Sequence, residues 1–146
     1  MKKILVAADG SDFSKRALQT AVELARKFNS EVELLFVMLD PVIYRFGDIN
    51  TYYELDSFVA SAEQVEKQGE LVLKATLEGI DTGGITLKTI KLHGNPANVI
   101  IQEAEKENID LIAMGSHGYG AIVGSLLGSV SQKVVHGAKC SVLIVK

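Results

Sequence analysis

Three glycines and the small polar residues beside them are the part of this sequence best suited to bind an anion. Gly115 and Gly118 are separated by two residues, and nine more lead to Gly128, which Ser129 follows. The apolar run 110–114 comes directly before, and a helical pattern comes after. Glycine lets a ligand approach backbone N–H groups and accepts a positive φ, and the positive end of a helix attracts anions. The stretch therefore predicts a site that clamps phosphate groups between its two halves.

Two common phosphate-binding motifs are excluded by single positions. A P-loop requires a lysine, but the residue after Gly120 is Ala121. The dinucleotide fingerprint requires a glycine where this chain has Val123, and no acidic residue lies about 20 positions further on to bind a ribose. We therefore expect backbone groups and serine side chains to hold the phosphates.

Alternating apolar runs and helical patterns predict the elements that would carry this loop. Strands are predicted at 4–8, 31–38, 85–93, 110–114 and 141–145. Helices are predicted between them, from a cap at 11–14 to Phe28, over about 54–79, over 95–108, and from a cap at Ser129 to Ala138. This alternation is typical of one doubly wound, Rossmann-like α/β domain over 1–146, with a parallel sheet and helices on both faces.

The segment 40–53 interrupts the alternation and is rich in aromatic residues. With Phe58 it holds over half of the nine aromatics in the chain, namely Tyr44, Phe46, Tyr52 and Tyr53. One interpretation is a loop and helix start that pack over a sheet edge. The other is a lid or partner surface beside the ligand site.

The glycine spacing, Gly-x2-Gly-x9-Gly-Ser, resembles the motif of the universal stress protein family in its ATP-binding branch. The resemblance also covers the segments 4–11, 93–97 and 140–145, and so spans nearly the whole chain. It implies the strand order 3-2-1-4-5. In that order the winding reverses between strands one and four, where a ligand would bind at the carboxyl ends of the strands. Two departures are Ser141, where family members often have proline, and Ala7, where they sometimes have it.

The resemblance implies a set of nucleotide-binding residues from both ends of the chain. Ala7 and Val37 would contact the adenine, Met114 would pack beside it, and Asp9 would contact the nucleoside or, through water, a metal. The complete predicted set is Ala7, Ala8, Asp9, Val37, Met114, Gly115, Ser116, His117, Gly118, Gly128, Ser129, Val130 and Ser131. The ligand would be ATP, or ADP or AMP, and Mg²⁺ would arrive with the nucleotide and keep mostly water and phosphate ligands.

Some of these residues also have an ordinary structural interpretation. Asp9 is equally suited to a turn or a helix cap at the end of a strand. His117 would donate to a phosphate or stack within the loop, or it would simply face solvent. Ser129 would cap the last helix and bind phosphate at the same time, because the two roles are compatible.

The sequence lacks a recognisable set of groups for phosphoryl transfer. The glycine loop has no lysine, and we find no base to orient water and no arginine aimed at a γ-phosphate. We therefore expect an ATP-binding stress-response or regulatory protein with at most weak ATP hydrolysis. The alternative is a slow nucleotide hydrolase or phosphotransferase that uses the same site. A third possibility, an interaction module independent of ATP, predicts an empty crevice.

Composition limits the partners and the compartment. The net charge of −3 argues against a nucleic-acid surface, and no apolar run is long enough for a membrane span. A single cysteine excludes an internal disulfide, and the N-terminal apolar run is too short for a signal peptide, so we expect a cytoplasmic protein. The apolar last strand, Ser141 to Val145, would lie at a sheet edge, and the resemblance implies a homodimer through it.

Overall fold

Strands and helices alternate along the residues that the structure, a computed structural model, describes: 1–38, 62–118 and 126–146. The strands are β1 (Lys3–Ala8), β2 (Glu31–Met38), β3 (Thr86–His93), β4 (Leu111–Gly115) and β5 (Ser141–Val145). The helices are α1 (Asp12–Phe28), α2 (Ala62–Leu77), α3 (Pro96–Lys106) and α4 (Ser129–Gly137). The aromatic-rich segment 40–53 and the predicted helical residues 54–61 lie outside the described ranges. None of the described helices is long and apolar enough to cross a membrane.

The five strands form one parallel sheet in the order β3-β2-β1-β4-β5, which confirms the predicted fold class and strand order. The register brings three strand ends together, because Ala7 pairs with Leu35 on one side and with Met114 on the other. Gly115, the last residue of β4, pairs with Val145. The carboxyl ends of β1, β2 and β4 therefore lie side by side at one edge of the sheet.

Alternate residues of the strands fill two apolar cores, one on each face of the sheet. On one face Ile4, Val6 and Leu34 pack with the buried side of α1 and with Leu73 of α2. On the other face β-strand residues such as Leu5, Leu35 and Met114 pack with α3 and α4. Because β1 is covered on both faces, its apolar run is continuous rather than alternating.

Two helix starts follow the sequence signals closely. The Ser11 side chain caps α1 by accepting a hydrogen bond from the Ser14 N–H, and Asn95 caps α3 directly before Pro96 in the same way. Helix α1 ends at Phe28, as predicted, and the Phe28 side chain is 57% exposed although its position keeps the helical spacing of the apolar residues. Phe28 is the last residue of α1, and the chain turns away after it through Asn29, which has a φ of 51°.

Candidate functional site

A cavity of about 680 Å³ opens at the carboxyl ends of β1, β2 and β4. Its volume lies in the range of sites for small molecules. It is lined by Ala7, Ala8, Asp9, Ser14, Leu35, Phe36, Val37, Met38, Val65, Gln68, Pro96, Ile100, Met114, Gly115, His117, Gly118, Leu127, Gly128, Ser129, Val130, Ser131 and Gln132. All the residues in the predicted binding set except Ser116 line it, so the fold brings residues 7–9 and the two halves of the glycine stretch to one place.

Asp9 holds the start of α1 and faces the glycine loop. Its Oδ1 atom accepts hydrogen bonds from the Ser11 backbone N–H at 2.9 Å and from the Ser11 hydroxyl at 2.6 Å. Its Oδ2 atom lies where a Cβ on Gly118 would be. A side chain at position 118 would displace this carboxylate, so Gly118 allows Asp9 to keep its hydrogen bonds with Ser11. Asp9 thus has the predicted turn role while it also lines the cavity.

Gly115 is required by packing against α1. A Cβ added there would lie 2.5 Å from Phe13 Cβ, 2.9 Å from Phe13 C and 3.1 Å from Ser14 N. None of Gly115, Gly118 and Gly128 is among the residues with a positive φ. The expectation that these glycines serve a positive φ is therefore wrong, and close contacts explain Gly115 and Gly118 instead.

The backbone of Ser116 joins the two halves of the glycine stretch through hydrogen bonds. Its carbonyl accepts hydrogen bonds from the Gly128 N–H at 2.7 Å and from the Ser131 hydroxyl at 2.9 Å. Its own N–H donates to the Val145 carbonyl of β5 at 2.8 Å. Ser116 is only 2% exposed, which explains why it does not line the cavity. Its backbone fixes the loop, and its hydroxyl lies 3.1 Å from His117 Nδ1.

Helix α4 points its N-terminus at the cavity. Its N-cap is Gly128 rather than the predicted Ser129, and no side chain makes a capping hydrogen bond there. Ser129 is instead the first helical residue and is exposed. The first N–H groups of a helix have no acceptor within the helix, and they attract anions. The arrangement can therefore hold phosphate oxygens at Ser129, Val130 and Ser131.

Ser131 contributes to this helix end mainly through its backbone. Its side chain is 3% exposed, and its hydroxyl lies 2.9 Å from the carbonyl oxygens of both Ser116 and Gly128. The hydroxyl hydrogen is therefore directed into the protein. The N–H group of Ser131 and the exposed hydroxyl of Ser129 are better suited to an anion.

His117 forms part of the cavity wall and packs on Phe13. The two ring centroids are 5.8 Å apart with an interplanar angle of 56°. The Arg16 guanidinium also packs on Phe13, with its central carbon 4.7 Å from the ring centroid. Arg16 Nε donates a hydrogen bond to the Lys146 carbonyl at 2.9 Å. His117 is therefore a packed side chain that is partly buried, not one that simply faces solvent.

Helix α2 supplies a wall of the cavity that the sequence analysis did not include. Val65 and Gln68 line the cavity, and ion pairs from Lys91 to Glu66 and Glu70 tie the helix to β3. Lys91 Nζ lies 2.7 Å from Glu66 Oε2, and His93 Nε2 lies 3.3 Å from Glu66 Oε1. Hydrogen bonds with Lys91 and His93 lower the pKa of Glu66, and the bond with Lys91 has the larger effect. No local signal marks Val65 or Gln68 as site residues, because they lie far along the chain from the other lining residues.

Three further lining residues that the prediction missed lie at or near helix starts. Ser14 lies in the first turn of α1, Pro96 begins α3, and Gln132 lies one turn into α4. The rule that helices after strands begin at the carboxyl edge of a parallel sheet is the signal that would have found them. For metals, the described ranges contain no group of three or more His, Cys, Asp or Glu side chains placed to hold an ion.

Comparison with known proteins gives a consistent result. The model of the universal stress protein family matches residues 1–146. Universal stress protein YxiE of Bacillus subtilis is 35% identical over 99% of this chain and 98% of its own length. Universal stress protein MJ0531 of Methanocaldococcus jannaschii is 34% identical over 99% of this chain and 82% of its own length.

Solved structures share the fold. Universal stress protein UspA from Lactobacillus plantarum superposes with a TM-score of 0.70 at 28% identity, over 99% of this chain and 97% of that one. The universal stress protein from Archaeoglobus fulgidus in complex with dAMP superposes with a TM-score of 0.69 at 22% identity, over 100% of this chain and 98% of that one.

Proposed function

The chain belongs to the universal stress protein family, and we propose that it is an ATP-binding regulatory protein of the stress response. The observation that carries the proposal is the N-terminus of α4, which has no side-chain cap and opens on the 680 Å³ cavity beside the glycine loop. Neutral backbone donors aimed at a cavity of nucleotide size favour a phosphorylated small molecule. The same fold holds dAMP, an adenine nucleotide, in the Archaeoglobus fulgidus protein.

One end of the cavity is polar and the other is apolar, which suits the phosphates and the base of a nucleotide. The α4 end offers N–H groups and the hydroxyl of Ser129 for phosphates. At the β2 end the lining side chains are mostly apolar and include Leu35, Val37 and Met38. An adenine ring would bind at this apolar end, and Asp9, between the two ends, would contact the ribose.

Mg²⁺ has a physical role in this proposal because of Asp9. Among the described lining residues Asp9 is the one acidic side chain, and it lies against the glycine loop at Gly118. Its negative charge would repel a triphosphate in the same cavity. A Mg²⁺ ion carried by the phosphates would offset the repulsion, with Asp9 as a partner through water.

We expect binding rather than rapid turnover. Among the described lining residues no lysine or arginine is present to stabilise charge on a transferred phosphoryl group. Slow hydrolysis or phosphoryl transfer at the same site remains the alternative function.

Calorimetric titration of the dialysed protein with ATP and Mg²⁺ tests the proposal, with phosphate release followed in parallel. We expect binding with micromolar affinity and turnover far below about one per second, the lower end for ordinary enzymes. Ser129→Pro is the variant of choice, because proline is tolerated at the first position of a helix but removes one N–H donor and the hydroxyl. It should weaken ATP binding while the protein stays folded. Absence of binding by the unchanged protein would contradict the proposal, and fast phosphate release would favour the enzyme.

We also propose a homodimer and a cytoplasmic location. β5 lies at the edge of the sheet, and its apolar residues 142–145 are only partly buried. An unpaired apolar edge strand favours pairing with a second copy. The cytoplasm supplies the ATP and the reducing conditions that suit the one free cysteine, Cys140. Sedimentation equilibrium at micromolar concentration should give twice the chain mass of 15.8 kDa, whereas the monomer mass would exclude this dimer.

A further inference from the structure

Among the described residues, the apolar end of the cavity has one polar side chain, that of Gln68 on α2. The other polar side chains among the described lining residues belong to the ends of β1 and β4, to the start of α1 and to α4. Gln68 is exposed, and its amide has no hydrogen-bond partner among the described residues. A primary amide carries both a donor and an acceptor, so it can distinguish bases by the pattern on their edges.

The packing of α2 places Gln68 at the carboxyl end of β2. A Cβ on the adjacent Gly69 would lie 3.0 Å from Met38 Sδ and 3.4 Å from Phe36 Cδ1, so the helix lies directly on these two β2 side chains. Glycine permits this close approach. The ion pair between Lys91 and Glu66, at 2.7 Å, holds the same turn of α2 against β3.

The spacing of the sheet determines which part of a nucleotide reaches Gln68. In the strand order, β2 lies two positions from β4, which corresponds to about 10 Å at the usual spacing of strands. If phosphates bind at the start of α4 beside β4, the ribose lies over β1 and the base lies over the end of β2. The edge of that base then faces α2.

We propose that Gln68 determines the base specificity of the site and selects adenine over guanine, an inference that rests on the proposed nucleotide-binding function. The amide oxygen accepts a hydrogen bond from the N6 amino group of adenine, and the amide NH₂ donates to N7. Guanine presents two acceptors, O6 and N7, on the same edge. The amide oxygen would then oppose a carbonyl oxygen, and one of the two hydrogen bonds would be lost.

Calorimetric titration with ATP and with GTP, each with Mg²⁺, tests the inference on three proteins. The unchanged protein should bind ATP at least about fivefold more tightly than GTP, the lower limit for a bidentate amide contact. Gln68→Met, of similar length but without the amide, should reduce this preference to less than about twofold. The matched control is Gln102→Met, on the exposed face of α3 and outside the cavity, which should leave the preference unchanged.

The outcomes separate this inference from the function on which it rests. If the unchanged protein binds neither nucleotide, the proposed function fails, and the inference fails with it. If it binds ATP but Gln68→Met keeps the same preference, or if the unchanged protein has none, the inference alone is wrong. Gln68→Glu keeps the acceptor for N6 and loses the donor for N7, so it should weaken ATP binding and still prefer adenine. Loss of the preference in Gln68→Glu would contradict the roles given to the two amide atoms.

Discussion

Alanine substitutions at the three glycines of the loop should destabilise the protein most at Gly115, less at Gly118 and least at Gly128. At Gly115 the new Cβ would lie 2.5 Å from Phe13 Cβ and 2.9 Å from Phe13 C. Neither can move without shifting α1 against β4, so we expect a loss of about 3 kcal/mol or more, the upper range for overpacking. At Gly128 the nearest atoms are 3.4 Å away, and the cost should stay below about 1 kcal/mol.

Gly118→Ala should fall between these limits for a reason that can be isolated. The Cβ would overlap Asp9 Oδ2, the end of a side chain that can rotate away. Rotation would break the hydrogen bonds from Ser11 to Oδ1, at a cost of about 1–3 kcal/mol. In an Asp9→Ala background no other atom of the described residues lies within 4 Å of the Cβ, so the same substitution should cost less than about 0.5 kcal/mol.

Urea denaturation of the single and double variants measures these differences, with the midpoint and the slope compared for each. The slope should not change, because the unfolded chain is the same length and the folded state keeps its topology. An equal cost of Gly118→Ala in both backgrounds would refute the contact with Asp9. A larger cost at Gly128 than at Gly115 would refute the argument from packing.

Two further predictions concern charged groups away from the cavity. Asp110 Oδ2 accepts hydrogen bonds from the backbone N–H groups of Lys2 at 2.6 Å and Lys3 at 3.0 Å, which lower the pKa of this carboxyl below 3.8. Its stabilising effect is therefore present above the unfolded-state pKa and is lost as the pH falls through the lower folded-state pKa. Asp110→Asn should accordingly lower the urea midpoint at about pH 7, and this difference should shrink as the pH falls through that range. Lys88 Nζ lies 2.6 Å from Glu33 Oε2, and Glu33 is 3% exposed. Lys88→Met would leave the buried Glu33 carboxylate without its partner and should lower the free energy of unfolding by about 1–2 kcal/mol. This is less than for a fully buried pair, because Lys88 is half exposed. In a Glu33→Gln background most of this loss should disappear, as measured by thermal or urea unfolding.

The sequence predicts the fold better than it predicts the walls of the cavity, and particular residues show why. Asn95-Pro96 and Ser11 begin helices through contacts with their own neighbours, so a local signal is sufficient. The strand order depends on long-range pairing and came from the family resemblance. Gln68 reaches the cavity only because Gly69 packs on Met38, which no local pattern can reveal.

The single residues of the glycine stretch show the same limit. Ser116 was expected to bind ligand, yet it is buried because its carbonyl and N–H join the loop to Gly128 and β5. The cap of α4 is Gly128 rather than Ser129, a shift of one position that exposes the serine hydroxyl to the cavity. Neither difference changes the residue types, so only the three-dimensional arrangement distinguishes a supporting residue from a contact residue.

This distinction changes what the glycine motif itself indicates. Gly115 must be glycine to pass Phe13, and Gly118 must be glycine to lie against Asp9, whether or not a nucleotide is bound. Their presence therefore reports on packing as much as on ligand binding. The stronger argument for phosphate comes from the start of α4, where no side chain caps the helix and the exposed Ser129 leads into it. Substitutions at Ser129 and Gln68 can consequently test binding at exposed positions, whereas substitutions at Gly115 would alter folding and binding together.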